Sequence, residues 1–234
     1  MNRFQVAPEV FEKIPNACFG VVVAKNINNS HPISEISVLL QNTQKDIFQQ
    51  LAGRKAKEYP PILPYRETFQ KLSINPNKYP PSVEALISRI EKGKELPAIN
   101  PAVDLGNAIS LKYGIPLGAH DLQAAAEPLE VRLYHPGDQF VPFGATEPEV
   151  IEADEILYAS GSQVKTRRWI WRQSEFGKIT AATTDIFFPL DGFSDINASE
   201  VLAARDELAR LLAHYFQTES QVFWITKEQP SCSF

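Results

Sequence analysis

The spacing of apolar residues changes along the chain, from a helical period before about residue 121 to a strand period after it. Apolar side chains recur every three or four positions in Ser34–Leu51, Ser82–Lys92 and Asn100–Gly114, and over a shorter stretch in Pro64–Leu72. This spacing places the apolar residues on one face of a helix. The first half of the chain is therefore predicted to be mainly helical.

Two of these helices carry end signals. Asn100 can accept a hydrogen bond from a free N–H at the start of a helix, and Pro101 suits the first helical position. Ser82 is an equally good capping residue by type. Gly114 and Gly93 are expected to end the two helices, because glycine adopts the left-handed conformation easily. These signals predict helices beginning after Asn100 and Ser82.

Strand-like patterns surround the helical region. Cys18–Ala24 is a β-branched apolar run typical of a buried strand, and alternating or β-branched segments recur after residue 121. Asn197, followed three residues later by Glu200, resembles a capping box before one more amphipathic helix. The later strands are predicted at Leu129–Tyr134, Val150–Ser160, Val164–Arg172, Ile179–Phe188 and Gln221–Thr226. Strands and helices without regular alternation predict an α+β fold forming one compact unit.

Composition excludes several functional classes. The chain has 234 residues, a net charge of −5 and no apolar run as long as a membrane span. The charge argues against broad nucleic-acid binding and against DNA as a partner, although a local basic patch stays possible. Only Cys18 and Cys232 are present and no secretory signal is evident, so we expect a cytoplasmic protein without disulfides. Metal, phosphate-loop and serine-nucleophile motifs are missing, and we expect no cofactor.

Two segments carry candidate chemistry. Asp104 and Asn107 share one face of the predicted helix, and the following loop ends in His120. The alternative is that this Asp and Asn only hydrogen-bond a neighbouring loop. The segment Arg167–Arg172 reads RRWIWR, and on a strand Arg167, Trp169 and Trp171 would face one way. One interpretation is that both tryptophans lie in the core and the flanking arginines reach water; the other is that the aromatic face stacks on nucleic-acid bases. We favour the first, and we expect one outward-facing arginine to line a pocket.

Residues 96–121, LPAINPAVDLGNAISLKYGIPLGAHD, resemble the core of the B3/B4 domain of bacterial phenylalanyl-tRNA synthetase beta subunits. That family carries "VVD-x-TN", an apolar helix and "G-x-P-L-H-A-F-D". The "P-L-G-x-x-D" and "W-x-W-R" patterns here are similar to those of free-standing B3/B4 proteins. The matching positions are Val103, Asp104, Asn107, Gly114, Pro116, Leu117, Gly118, Asp121 and Trp169–Arg172. The likeness is strongest over residues 79–190, and it implies one B3/B4-like domain spanning residues 1–234.

In the family, this domain holds a pocket that hydrolyses wrongly charged tRNA with a positioned water. The family threonine aligns with Gly106 and the family histidine with Gly118, so both substitutions remove hydrogen-bonding groups and are predicted to enlarge the site. A family glutamate aligns with Glu175. The resemblance thus implies a pocket with altered chemistry, because a fold alone does not carry a function.

The leading hypothesis is a tRNA-editing-like protein that acts on, or binds, the aminoacyl end of tRNA. If it is an enzyme, it is an aminoacyl-tRNA hydrolase and not a complete synthetase. The alternatives are a non-catalytic module that binds an RNA end, an amino acid or a small aromatic ligand, and a different small-molecule enzyme. The predicted catalytic residues are Glu175 and His120, and the predicted substrate-binding residues are Asp104, Gly106, Asn107, Pro116, Gly118 and Arg172.

Overall fold

The computed structural model describes residues 2–234, and within them the chain forms ten strands and six α-helices. The strands are β1 Arg3–Val6, β2 Ala17–Ala24, β3 His120–Asp121, β4 Leu129–Leu133, β5 Ile156–Ser160, β6 Gln163–Arg167, β7 Arg172–Gln173, β8 Ile186–Phe193, β9 Ser220–Ile225 and β10 Ser231–Ser233. The helices are α1 Pro8–Lys13, α2 Ser34–Leu51, α3 Leu63–Lys71, α4 Ser82–Glu91, α5 Pro101–Tyr113 and α6 Ala198–Phe216. Short 3-10 turns at Ala56–Glu58 and Pro60–Ile62 lead into α3.

The strands form two sheets. The larger has the order β10-β1-β4-β5-β6-β7, and its one parallel pair among the described residues joins β1 to β4. The smaller has the order β3-β8-β2-β9 and is antiparallel throughout. Sheets and helices without regular alternation make the fold α+β, as predicted.

Strand β2 shows why the apolar run Ala17–Ala24 is buried on both faces. Phe19, Val21 and Val23 join the core that lies between the two sheets. Val22 and Ala24 point the other way, into a second core formed with α5 and α6. The smaller sheet is thus the middle layer, and a strand in a middle layer needs apolar side chains on both sides.

Several sequence predictions are confirmed. Helix α2 has the predicted bounds, and α5 begins after Asn100, whose Oδ1 accepts a hydrogen bond from the amide N of Val103 at 3.1 Å. Gly114 ends α5 with a φ of 65°, in the left-handed region. Within residues 2–234, no helix combines the length and apolar character needed to cross a membrane.

Three local predictions are wrong. Ser82 is the first residue of α4 and not its cap, because the carbonyl of Pro81 accepts the first helical hydrogen bond, from the amide of Ala85 at 3.1 Å. Asn197 precedes α6, but its Oδ1 accepts from the amide of Phe193 instead of capping the helix. The strand predicted from Ile179 begins only at Ile186, and the residues before it form a loop.

Candidate functional site

A cavity of about 80 Å³ lies between the loop after α5 and the segment that joins β6 to β7. One side is the loop wall, residues 116–120, and the other is the tryptophan wall, residues 169–173. Strand β8 contributes Pro189 and Asp191, and Tyr158 of β5 closes another side. Of the predicted site residues, Pro116, Gly118, His120 and Arg172 line this cavity.

The loop wall is fixed by hydrogen bonds to β8. The amide of Gly118 donates to the carbonyl of Pro189 at 2.9 Å, and the amide of Asp191 donates to the carbonyl of Pro116 at 3.0 Å. His120 then pairs with Phe187 in the short strand β3. Because Pro116 cannot donate a backbone hydrogen bond, it suits a position where only its carbonyl is used. The loop therefore presents its side chains on a rigid backbone.

The tryptophan wall corrects the prediction of one continuous strand. Arg168 and Trp169 have φ values of 47° and 60°, so the chain turns sharply between β6 and β7. Such left-handed values are uncommon for residues other than glycine, and nothing in RRWIWR signals them. Trp169 is fully buried, as the core interpretation requires, while Trp171 is half-buried with its ring edge-on to Tyr79 at 4.7 Å.

His120 is a buried, titratable residue that lines the cavity. It is 1% exposed, its ring stacks on Tyr158 at 5.7 Å, and its Nδ1 has no hydrogen-bond partner within residues 2–234. Burial, with a smaller contribution from Lys165, lowers the pKa of His120 to about 3. The imidazole is therefore neutral at physiological pH, and its Nδ1 is buried without a partner.

Asp191 is the functional candidate that the sequence analysis missed. It is 2% exposed, and its Oδ1 accepts from the Tyr158 hydroxyl at 2.7 Å and from Trp169 Nε1 at 2.6 Å. Burial raises the pKa of Asp191 to about 7, and the two hydrogen bonds oppose this only in part. The signal available in the sequence was an acidic residue inside an apolar strand, FFPLDGF, which is an expensive place for a charge.

Arg172 and Glu175 occupy different places. Arg172 lines the cavity with a side chain that is 41% exposed, so it forms part of the rim. Glu175 does not line the cavity: its carboxylate accepts from the amide of Gly144 at 2.6 Å and pairs with Lys178 at 2.5 Å. The hydrogen bond from Lys178 also lowers the pKa of Glu175. The two predicted catalytic residues are therefore not brought together on one cavity.

The three predicted residues on α5 also lie outside the cavity lining. Asp104 is buried, and its Oδ1 accepts from the amide of Ile99 at 3.0 Å. Asn107 is half-buried, and its side chain makes no hydrogen bond within the described residues 2–234. For Asp104 this geometry agrees with the alternative interpretation, in which the side chain secures a neighbouring loop.

The two glycines do not enlarge the site as predicted. A Cβ on Gly106 would lie 3.1 Å from Cδ2 of Leu117, so the space beside this glycine is filled by the loop wall. A Cβ on Gly118 would lie 3.2 Å from Cγ of Pro189 and 3.3 Å from Nε2 of His120. Side chains of Leu117, Pro189 and His120 occupy the space beside the glycines, in keeping with a small cavity.

Other clefts on the surface are larger but chemically different. Those beside α4 and beside Glu155 measure about 530 and 440 Å³. Their buried carboxylates, Glu84 and Glu155, are ion-paired with arginines. His120 and Asp191 have no ion-pair partner within residues 2–234. In the same described region, no cluster of three or more His, Cys, Asp or Glu side chains is arranged to hold a metal ion.

Comparison with known families defines the class of protein. The sequence matches the family model described as "B3/4 domain" over residues 64–217, which is more than half of the chain and wider than the stretch 79–190. The chain therefore belongs to the B3/4 domain family. The matched region contains α4, α5, both walls of the cavity and Asp191.

A solved structure gives a more particular comparison. The fold is similar to an N-terminal fragment of the phenylalanyl-tRNA synthetase beta subunit from Pyrococcus horikoshii, with 12% identity and a TM-score of 0.50. The alignment covers 93% of this chain and 49% of that one, so the chain spans about half the length of the fragment. At this identity the likeness shows the fold alone. No curated protein matches the chain significantly.

Proposed function

We propose that the cavity binds the aminoacyl end of a tRNA and hydrolyses the ester that links the amino acid to the ribose. The observation that carries this proposal is a neutral His120 that lines a cavity in a B3/4 domain. A buried polar atom without a partner calls for an explanation, and a catalytic role is one of them. The proposal retains His120 and Arg172 in the roles that the sequence suggested.

Hydrolysis of the aminoacyl ester requires few groups from the protein. A water molecule adds to the ester carbonyl and passes a proton to the neutral imidazole of His120, and the ribose oxygen leaves with a proton. The lowered pKa makes His120 a weak base, so positioning the water contributes more than basicity does. Arg172, on the rim, can contact a phosphate of the RNA or the developing oxyanion.

The size of the cavity limits the amino acid. A closed cavity of about 150 Å³ holds a benzene ring, whereas this one measures about 80 Å³. The space that these residues enclose therefore favours a small side chain over an aromatic ring. Glycyl, alanyl and seryl esters are the expected substrates, in contrast to the aromatic substrates of the synthetase domain that the sequence resembles.

The test is to incubate the protein with a panel of aminoacyl-tRNAs and measure release of the labelled amino acid. We expect release from small aminoacyl groups ahead of phenylalanyl and tyrosyl groups. His120→Gln should slow release by about 100-fold. Glu175→Gln is the matched control and should leave the rate unchanged, because its carboxylate is held by Lys178 and Gly144. No release above buffer for any member ends the proposal.

A second candidate is binding without turnover. It is favoured by the position of Glu175, which is engaged outside the cavity, and by the glycines at two polar positions of the family pattern. In that case the panel shows saturable binding of an aminoacylated RNA end with no release of amino acid. Release that disappears in Glu175→Gln but persists in His120→Gln would return the catalytic role to Glu175.

A further inference from the structure

Asp191 is the one cavity-lining residue with an acidic side chain within residues 2–234. Its Oδ1 holds two strong donors, Tyr158 Oη and Trp169 Nε1, which fix the orientation of the carboxyl group. Its Oδ2 makes no hydrogen bond with any described residue, and no ion pair neutralises the group. One oxygen is thus anchored, and the other is left to whatever enters the cavity.

The groups around Asp191 do not supply a compensating charge. Tyr158 from β5, Tyr65 from α3, Cys18 from β2 and His120 from β3 are all neutral at pH 7, because burial raises the pKa of the first three and lowers that of His120. Tyr65 donates to the backbone carbonyl of Asp191 and not to its carboxylate.

Two cations lie farther out. Lys165 of β6 donates to the carbonyl of Ala124 and to Gln163. Arg172 lies on the rim, 3.5 Å from Glu149. Neither is hydrogen-bonded to Asp191, so the carboxylate lacks a cationic partner of its own.

A buried carboxylate without a cation is costly. It can take up a proton, or it can be matched by a cation from the ligand. Burial raises the pKa of Asp191 to about 7, so both forms are populated near neutral pH and a bound cation would draw the group into its ionised form. A primary ammonium is the smallest organic cation that could bring such a charge into a cavity of about 80 Å³.

We propose that Asp191 binds the α-ammonium group of the ligand through its free Oδ2, and so selects aminoacyl groups over acyl groups without an amine. This inference deepens the proposed function and rests on it for the identity of the ligand. Asp191 and His120 line the same cavity, so an aminoacyl group held at this carboxylate would lie in the space that His120 also borders. Arg172 at the rim then meets the RNA end or a free carboxylate.

Calorimetry with small probes tests this directly. L-alaninol carries a charged amine without a carboxylate, while 1-propanol lacks the amine. We expect L-alaninol to bind at least about tenfold more tightly than 1-propanol, with affinity rising as the pH increases from 5 to 8. L-alanine as a third probe separates a free amino acid from an ester, because only the free acid brings its own carboxylate to Arg172.

Asp191→Asn keeps an oxygen acceptor for Tyr158 and Trp169 but removes the charge. In this variant L-alaninol should bind no better than 1-propanol, and the dependence on pH should vanish. Asp195→Asn is the control, because it makes the same change at an exposed carboxylate outside the cavity lining and should keep the preference for the amine. If Asp191→Asn does not fold, the pH dependence of L-alaninol binding by the natural protein tests the role of Asp191: an affinity that does not rise between pH 5 and 8 contradicts it.

Equal binding of L-alaninol and 1-propanol by the natural protein, or an unchanged preference in a folded Asp191→Asn variant, overturns the inference. Failure of this inference can be distinguished from failure of the proposed hydrolase activity. Hydrolysis of aminoacyl-tRNA without a preference for the amine contradicts only the role of Asp191. Selective binding of the amine without hydrolysis supports the role of Asp191 and contradicts the hydrolase.

Discussion

The two halves of the segment 96–121 have different surroundings although both match the same family pattern. On the helix half, Asp104 is buried against the backbone, where the amide of Ile99 satisfies it. On the loop half, His120 is equally buried, yet its Nδ1 has no partner and its ring borders a cavity. A shared motif can therefore indicate where a site lies. The hydrogen-bond partners of each polar atom then show which residues of the motif have structural roles and which border the cavity.

The largest expected effect concerns the pH dependence of stability on the cavity side. The pKa of Asp191 is raised to about 7, so the stabilisation that it contributes at low pH is lost as the pH rises from about 4 to 7. The pKa of His120 is lowered to about 3, so its contribution has the opposite sign and grows between about pH 3 and 6.5. Each corresponds to roughly 4–5 kcal/mol at most, and in the natural protein they nearly cancel.

Single variants should separate the two titrations. Relative to the natural protein, Asp191→Asn should become more stable with rising pH, and His120→Gln should become less stable. Chemical denaturation at a series of pH values between 3 and 8 measures both differences. Parallel curves of stability against pH for all three proteins would mean that the pKa values of Asp191 and His120 are not shifted. The loop half would then not differ from the helix half in this respect.

The next effect is a loss of about 1–3 kcal/mol in the free energy of unfolding, at the contact between the helix half and the loop half of the segment. Gly106→Val would push two methyl groups toward Leu117, whose Cδ2 lies 3.1 Å from the position of a Cβ. Gly106→Ala should be nearly neutral, because better helix propensity offsets the tighter contact. Denaturation of both variants measures the difference. If Gly106→Val is as stable as the natural protein, the loop wall is not held in place by α5.

A smaller effect, about 1 kcal/mol, is expected for Asp104→Ala, which removes the acceptor for the amide of Ile99. Asp104→Asn keeps an acceptor and serves as the control. Neither should change aminoacyl-tRNA release or binding of L-alaninol. A loss of either activity at full stability would show that the helix half reaches the ligand after all.

The smallest effect is expected for Asn107→Ala. Its half-buried side chain makes no hydrogen bond within residues 2–234, so the free energy of unfolding should change by less than about 0.5 kcal/mol. Release of amino acid should also be unchanged. A clear fall in the rate would restore Asn107 as a substrate-binding residue, as the sequence resemblance implied.

The sequence was sufficient where one local rule decided the outcome. The apolar spacing in Ser34–Leu51 reproduces α2 residue for residue, and Asn100 and Gly114 mark the ends of α5. In these stretches the helical period, the cap and the left-handed glycine all favour the same conformation. The family pattern in turn located the loop wall, including Pro116.

The sequence was insufficient where distant residues decide the outcome. The turn at Arg168 and Trp169 has no glycine, and it depends on contacts such as that between Trp169 and Asp191. Asp191 itself lies after the end of the predicted strand, and its importance depends on Tyr158, 33 residues away. Only the assembled fold shows that these side chains share one buried space with His120.

The bond between Trp169 and Asp191 has a practical consequence. The indole Nε1 lies 2.6 Å from an oxygen of Asp191, whose pKa is raised to about 7, so the charge beside the indole changes near neutral pH. Indole emission responds to a charge at such a distance, and Trp169 is shielded from solvent. Trp169 therefore offers an intrinsic fluorescence signal for the titration of Asp191, and replacing Trp171 and Trp224 would isolate that signal without attaching a dye.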